Sequence, residues 1–207
     1  ETMPVKGHCE LLRDNLLDLT HAKFLHRTTL TTEAVTEFPV EVTTSGTQVN
    51  VRRRMVDVPG TSPLWTKVGG FTQNVTQWQN VEFTAPCNIV IKMGVHSSDS
   101  ATEDKRIEFR ILNSLTPETE TSTHYFWAIM RNFKTEDADM TEMTFKGNKE
   151  AFIEDQWIVE KQQEMMNRLD GPVPIAVPHD KGILNVTQLT ERLKRQEQEA
   201  ATSIAAE

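Results

Sequence analysis

Asn15, Asp18, His21 and His26 fall within one otherwise apolar segment, Asn15-Leu-Leu-Asp-Leu-Thr-His-Ala-Lys-Phe-Leu-His26. Buried without partners, such groups cost roughly 1 to 3 kcal/mol each, so something must satisfy them. At helical spacing, residues 15, 18 and 21 share a face. His26 lies about 140° further round than His21. The two imidazoles therefore converge only if the helix ends, or bulges, between them. Far along the chain, Phe152, Asp155, Val159 and Met166 repeat as one stripe of a predicted helix, together with 148 and 162. A carboxylate thus stands in a core-facing row, while Glu154 beside it reads as an ordinary exposed acid. Two imidazoles and one carboxylate are the ligand set of a non-haem iron(II) facial triad, which leaves positions open for other ligands. The same set holds zinc. Structural readings compete with both: each histidine as a satisfied core residue, and Asp155 as a buried acid paired with Arg52, Arg53, Arg54 or Arg131.

The elements that must position these groups can be read from the pattern. Cys9 to Arg27 reads as a buried helix, apolar nearly all round. From Thr28 onward β-branched residues dominate, broken at Ser45-Gly46 by a hairpin signal. Pro59-Gly60, Gly69-Gly70 and Pro86 punctuate further strands. Asn88–Val95, Lys105–Leu112 and Ser122–Arg131 read as extended, and Gly94 to Ser98 as a turn carrying a solvated His96. Helix returns after Asp137 and stops at Leu169-Asp170-Gly171-Pro172. Residues 187–207 form a peripheral charged helix with Leu189 and Leu193 on one face. Helix, antiparallel strands, then long helix make an α+β domain over 1–207.

The chain has 207 residues, with 22 Lys and Arg against 30 Asp and Glu, a net charge of -8. Such a surface repels phosphate backbones, which argues against nucleic acid as a partner. No apolar run nears the ~20 residues of a membrane span, so no membrane is expected. Cys9 and Cys87 are lone thiols and point to a reducing, cytoplasmic compartment rather than a disulfide scaffold.

The segment Asn15-Leu-Leu-Asp18-Leu-Thr-His21-x4-His26 closely resembles the iron-binding segment of bacterial Rieske-type non-haem iron aromatic-ring oxygenases. It is most similar to the group that contains vanillate and dicamba O-demethylases. Leu115-Thr116-Pro117-Glu118-Thr119-Glu120, then His124-Tyr125-Phe126 and Arg131-Asn132-Phe133, is similar to that group's central strands. Phe152-Ile153-Glu154-Asp155 resembles the segment bearing its carboxylate ligand. The resemblance implies a catalytic domain with a curved antiparallel sheet wrapped around a long C-terminal helix, the helix-grip, Bet v 1-like fold. It implies mononuclear iron(II) on His21, His26 and Asp155, with dioxygen as co-substrate. Asp18 would bridge His21 to a Rieske [2Fe–2S] cluster held by the neighbouring chain of a homotrimer, accepting a hydrogen bond from each histidine. Asn15 would lie close to the iron. A reductase or ferredoxin would supply electrons.

One departure is large. A Rieske cluster needs Cys and His in C-x-H and C-x-x-H spacing, and neither cysteine here is followed so. The expectation is that a Rieske domain lies upstream of Glu1, leaving this chain unable to turn over alone. By the same resemblance Ile91, Asn113 and Lys146 correspond to substrate-pocket positions. The implied reaction is O-demethylation or hydroxylation of a substituted aromatic acid. The rivals are a non-catalytic hydrophobic-ligand carrier of the same fold and a zinc hydrolase; the latter lacks an obvious general base such as H-E-x-x-H.

Overall fold

The computed structural model describes residues 1–26, 33–60, 63–98, 106–169 and 177–205. Its frame is a seven-stranded antiparallel sheet: β1 (Thr2–Val5), β2 (Glu41–Ser45), β3 (Gln48–Pro59), β4 (Asn74–Thr84), β5 (Asn88–Ser97), β6 (Ile107–Thr119) and β7 (Ser122–Arg131). The order across it is β1-β7-β6-β5-β4-β3-β2, so β2 to β7 form a meander and β1 returns to close its far edge on β7. Among the described residues the α-helices are α1 (Cys9–Leu17), α2 (Ala22–Leu25), α3 (Pro63–Gly69), α4 (Ala138–Arg168) and α5 (Lys181–Ala205). The sheet grips α4 on one face, with α1 and the start of α5 beside it, as the resemblance implied.

Alternation fixes which face of the sheet is inward. Val49, Val51, Arg53 and Met55 of β3 are all buried, and their partners on β4 are Phe83, Val81, Gln79 and Gln77. Ser45 pairs with Gln48, and Gly46 takes φ +58°, a left-handed backbone that glycine adopts without strain. The meander hairpins therefore set one register, and every inward side chain follows from it.

The inward residues form two apolar clusters rather than one. The first joins Leu12, Leu16, Val51, Val81, Tyr125, Trp127, Phe152 and Val159. The second joins Met55, Trp65, Val75, Val95, Phe109 and Met140. Met93 and Ile129 touch both and are only partly buried, although they lie on central strands. On α4 the boundary falls between Met140 and Phe152, at Thr144, Gly147 and Ala151. A Cβ added at Gly147 would meet nothing within 4 Å.

Several boundaries differ from the sequence reading. The first helix stops at Leu17, because a continuous helix would bury the polar groups of 18 to 21 unpaired. Glu33–Thr36 is a 3-10 turn rather than strand, and β1 and α3 carried too short a pattern to be read. β5 runs on to Ser97, so His96 sits in a strand opposite Thr76 instead of in a turn. Ile153, Trp157 and Met165 are exposed on α4, where the stripe turns from 159 to Gln163 instead of 162. The last helix begins at Lys181, and its Val186 and Leu189 are buried against the sheet core, so its first half is not peripheral. The readings at Arg27 to Thr32, Lys105, Asp170 to Pro174, and 206–207 lie outside the described residues.

Candidate metal centre

α1 ends at Asp18, whose N–H closes on Asp14 and Asn15 carbonyls while its own φ and ψ are extended. The next turn starts at once. His21 stands at the N-terminal end of α2 and His26 at its C-terminal end. This break answers the requirement set by the five-residue spacing: the two rings meet edge to face with centroids 5.1 Å apart. The connector is clamped by Arg53 of β3, which donates to Leu19 O at 2.9 Å and to Thr20 Oγ1 at 3.0 Å. Arg53 is 2% exposed. Burial lowers its guanidinium pKa, and the Asp18 charge works against that shift.

From the other side, the buried stripe of α4 brings in Asp155, one turn beyond Ala151. His21 Nε2 and His26 Nε2 are 3.2 Å apart, and they lie 3.4 and 3.2 Å from Asp155 Oδ1. This triangle has the size of one face of a coordination shell, whose edges run from ~2.8 Å (octahedral) to ~3.6 Å (tetrahedral) for bonds of ~2.0–2.2 Å. Among the described residues it is a group of three potential ligands with all donor atoms within 4.8 Å of one another.

The rings are oriented for such a role. His21 Nδ1 donates to the backbone carbonyl of Asp18, and His26 Nδ1 donates to Glu154 Oε2 at 2.7 Å. With both Nδ1 protons committed, each neutral ring turns a bare Nε2 lone pair toward Asp155. Asp155 Oδ1 is buried and has no hydrogen bond of its own. The contacts to the two Nε2 atoms are within ion-pair distance but do not have hydrogen-bond geometry. Three acceptors turned on one another repel unless a proton or a cation lies between them, and the donor set fits a first-row dication.

The titration behaviour agrees. Burial drives His26 toward neutrality, yet Asp155 and then Glu154 outweigh it and raise its pKa. Burial pushes Asp155 up, but the imidazoles of His21 and His26 hold it down at about 2. The buried Tyr125 hydroxyl is raised well above the usual phenol value by burial, with Asp155 adding to the shift.

The other anticipated residues divide. The Asp18 carboxylate accepts from Thr20 N–H at 2.7 Å, so this residue reaches His21 through its backbone oxygen, and Glu154 holds the second histidine in its stead. Asn15 Oδ1 is buried with no partner. Asn113 is wholly buried on the inward face; it donates to Ile89 O and Ile111 O and accepts from Tyr125 OH at 2.6 Å. Ile91 is partly buried against the first cluster. Lys146 is turned to solvent, where it pairs with Glu142 one turn away. Arg131 caps the start of α4 through Asp137 O and Thr141 Oγ1, and Arg53 serves the connector, so neither pairs with Asp155.

The sequence reading gave two residues other tasks, Arg53 as a possible partner of Asp155 and Glu154 as an exposed acid. Arg53 was legible as a cation in the inward row of an alternating strand. Glu154 carried no such signal, since its position beside the buried stripe matches that of many solvated acids. At the boundary of the two clusters, Gln77 Nε2, Gln79 Oε1 and Thr144 Oγ1 are buried without partners. A separate groove of about 900 Å³ lies at the start of α1, between Cys9, Arg13, Phe83, Cys87 and Leu115, and none of the three ligand residues lines it.

Helix-grip sheet, broken helix and facial cluster together define a mononuclear non-haem metal domain. Residues 5–196 match the family described as vanillate O-demethylase oxygenase C-terminal domain, and the chain belongs to that family. Over 200 residues it is 29% identical to the vanillate O-demethylase oxygenase subunit of Pseudomonas sp. (strain HR199 / DSM 7063), covering 92% of this chain and 56% of that protein. It is 30% identical to a putative toluene-4-sulfonate monooxygenase iron-sulfur subunit of Comamonas testosteroni, covering 93% of this chain and 58% of that protein. Dicamba monooxygenase bound to 3,6-dichlorosalicylic acid superposes with a TM-score of 0.86 at 25% identity, over 95% of this chain and 58% of that one. The chain thus spans little more than half the length of these relatives. No described helix is long and apolar enough to cross a membrane.

Proposed function

We propose that this chain holds mononuclear iron(II) on His21, His26 and Asp155 and binds an aromatic substrate beside it, as the catalytic part of an oxygenase component. The observation that carries the reading is the triangle of Nε2, Nε2 and Oδ1 at 3.2 to 3.4 Å around a carboxylate oxygen with no hydrogen bond. When bound, iron(II) on three ligands of one face offers open positions at which dioxygen is activated next to substrate.

The residues of the chain do the rest. His21 and His26 present their lone pairs because Asp18 O and Glu154 hold their Nδ1 protons. The connector clamped by Arg53 keeps the two rings at a fixed separation. The boundary between the two clusters is the substrate seat: Ile91, Met93 and Ile129 give apolar walls, Gly147 gives room, and Gln77, Gln79 and Thr144 offer unpaired polar atoms to a ring substituent. The relatives named above act on vanillate, toluene-4-sulfonate and dicamba, all arenes with polar substituents, and oxidative O-demethylation or hydroxylation is the matching reaction class. Electrons come from a reductase or ferredoxin through a [2Fe–2S] cluster outside this chain. In a homotrimer, Asp18 is the bridge from that cluster to His21.

Anaerobic titration of the metal-free chain with iron(II) tests the reading. The expected result is one iron per chain, lost in His21→Ala and Asp155→Ala variants that keep wild-type circular dichroism. A folded wild type that takes up no iron sinks the proposal and leaves the hydrophobic-ligand carrier. Tight uptake of zinc with rejection of iron would favour the hydrolase instead.

A further inference from the structure

The two imidazoles are oriented by acceptors of different kinds. His21 leans on a neutral backbone carbonyl fixed by the helix break, whereas His26 leans on a carboxylate from α4, 2.7 Å from its Nδ1. Glu154 directly precedes Asp155, so neighbouring positions of α4 supply both a ligand and the brace for another ligand. The Glu154 side chain is 35% exposed, while those of His26 and Asp155 are 3% and 4% exposed. Among the described residues the ion-pair partner of Glu154 is the His26 imidazole.

We propose that Glu154 is a positioning residue that sets the metal affinity and ligand field of the cluster through His26. This rests on the metal-site reading above. A dication on two neutral imidazoles and one carboxylate leaves a unit of positive charge in a buried site, where charge is costly. The Glu154 carboxylate offsets it across a single hydrogen bond. That bond also fixes the tautomer of His26 and makes its Nε2 the more basic of the two nitrogens, as a carboxylate does when it accepts from a metal-bound histidine. The backbone acceptor at His21 carries no net charge and gives orientation alone.

Anaerobic titration of the metal-free chain with iron(II), and with cobalt(II) for its visible absorption, tests this in Glu154→Ala, Glu154→Gln and the exposed control Glu150→Gln. Removing the acceptor should weaken iron binding by roughly 10- to 100-fold, the usual cost of losing such a partner. Glu154→Gln keeps an acceptor without the charge and should fall between Ala and wild type. Both variants should move the cobalt absorption at unchanged stoichiometry, while metal-free thermal unfolding stays close to wild type. Iron affinity and cobalt spectrum like wild type in Glu154→Ala overturn the proposal. So does an equal loss in Glu150→Gln, which would reduce the effect to the general field of α4. Failure of wild type itself to bind iron is a separate result and overturns the metal site as well as this role.

Discussion

Asp14 and Asp155 are helix carboxylates, the first partly exposed and the second buried, and their pKa values are shifted in opposite directions. Burial lifts Asp14 to about 6, and its neighbour Arg13, in contact at 2.8 Å, only partly offsets that rise. Burial acts more strongly still on Asp155, whose side chain is 4% exposed against 31% for Asp14, but two imidazoles converge on it and hold it at about 2. Asp14 lies in the last turn of α1, where the acid is a local cost. Asp155 lies in the middle of α4, where it is the centre of a cluster assembled from three places in the chain. Burial alone therefore says little about a carboxylate's task. What faces it decides whether it is a liability or a ligand.

Separating the two acids experimentally begins with Asp155→Asn. Asparagine keeps the shape but not the charge, and iron(II) affinity should fall by at least two orders of magnitude, roughly the scale set by losing a charged ligand from a three-ligand site. A fall of less than tenfold would mean the histidines alone hold the metal. Next in size is Arg53→Met, which strands Leu19 O and Thr20 Oγ1 inside the fold and frees the connector. Urea unfolding should show a loss of about 2–4 kcal/mol, with weaker iron binding as well. Stability lost with iron affinity unchanged would show that the connector needs no clamp.

The pH dependence of the metal-free chain sharpens the contrast. The depressed pKa of Asp155 contributes stability that is present above ~3.9 and lost as pH falls through about 2. Asp14 has the opposite sign: its raised pKa costs stability above about 6, and that cost disappears as pH falls toward ~3.9. His26, also raised, stabilises below ~6.5 and loses this as pH rises through its folded value. Thermal unfolding should therefore show a maximum at about pH 4, where the Asp155 contribution is almost complete and the Asp14 cost has only begun. Asp14→Asn should raise the melting temperature at pH 7.5 by an amount equivalent to about 1–2 kcal/mol and leave it unchanged at pH 4. The same change in melting temperature at both pH values would remove the burial argument. The smallest effect is expected for Lys146→Ala, whose exposed pair with Glu142 is screened by solvent, so melting temperature and iron binding should both stay at wild-type values.

Much of this was legible before any coordinates. The polar residues at 15, 18, 21 and 26 in an apolar segment demanded partners, and their spacing demanded a helix break. The stripe through Phe152, Asp155 and Val159 marked an inward carboxylate, because helical periodicity is local and survives without knowledge of the fold. The motifs at 115–120 and 124–133 brought a family resemblance that implied the fold. Ser45-Gly46 marked a hairpin because few residues adopt positive φ freely.

What the sequence determined, then, was the identity of the ligands, the face of α4 that carries one of them, and the class of fold. Tertiary structure alone decided who holds those ligands. His26 and Glu154 are distant in sequence, and only packing α4 across the α1–α2 connector brings Nδ1 and Oε2 to 2.7 Å. The Arg53 clamp likewise depends on the register of β3 against the helices, and the division of the core into two clusters on how the whole sheet curves. Local periodicity reports which side of an element faces inward. It carries no record of what will be waiting there.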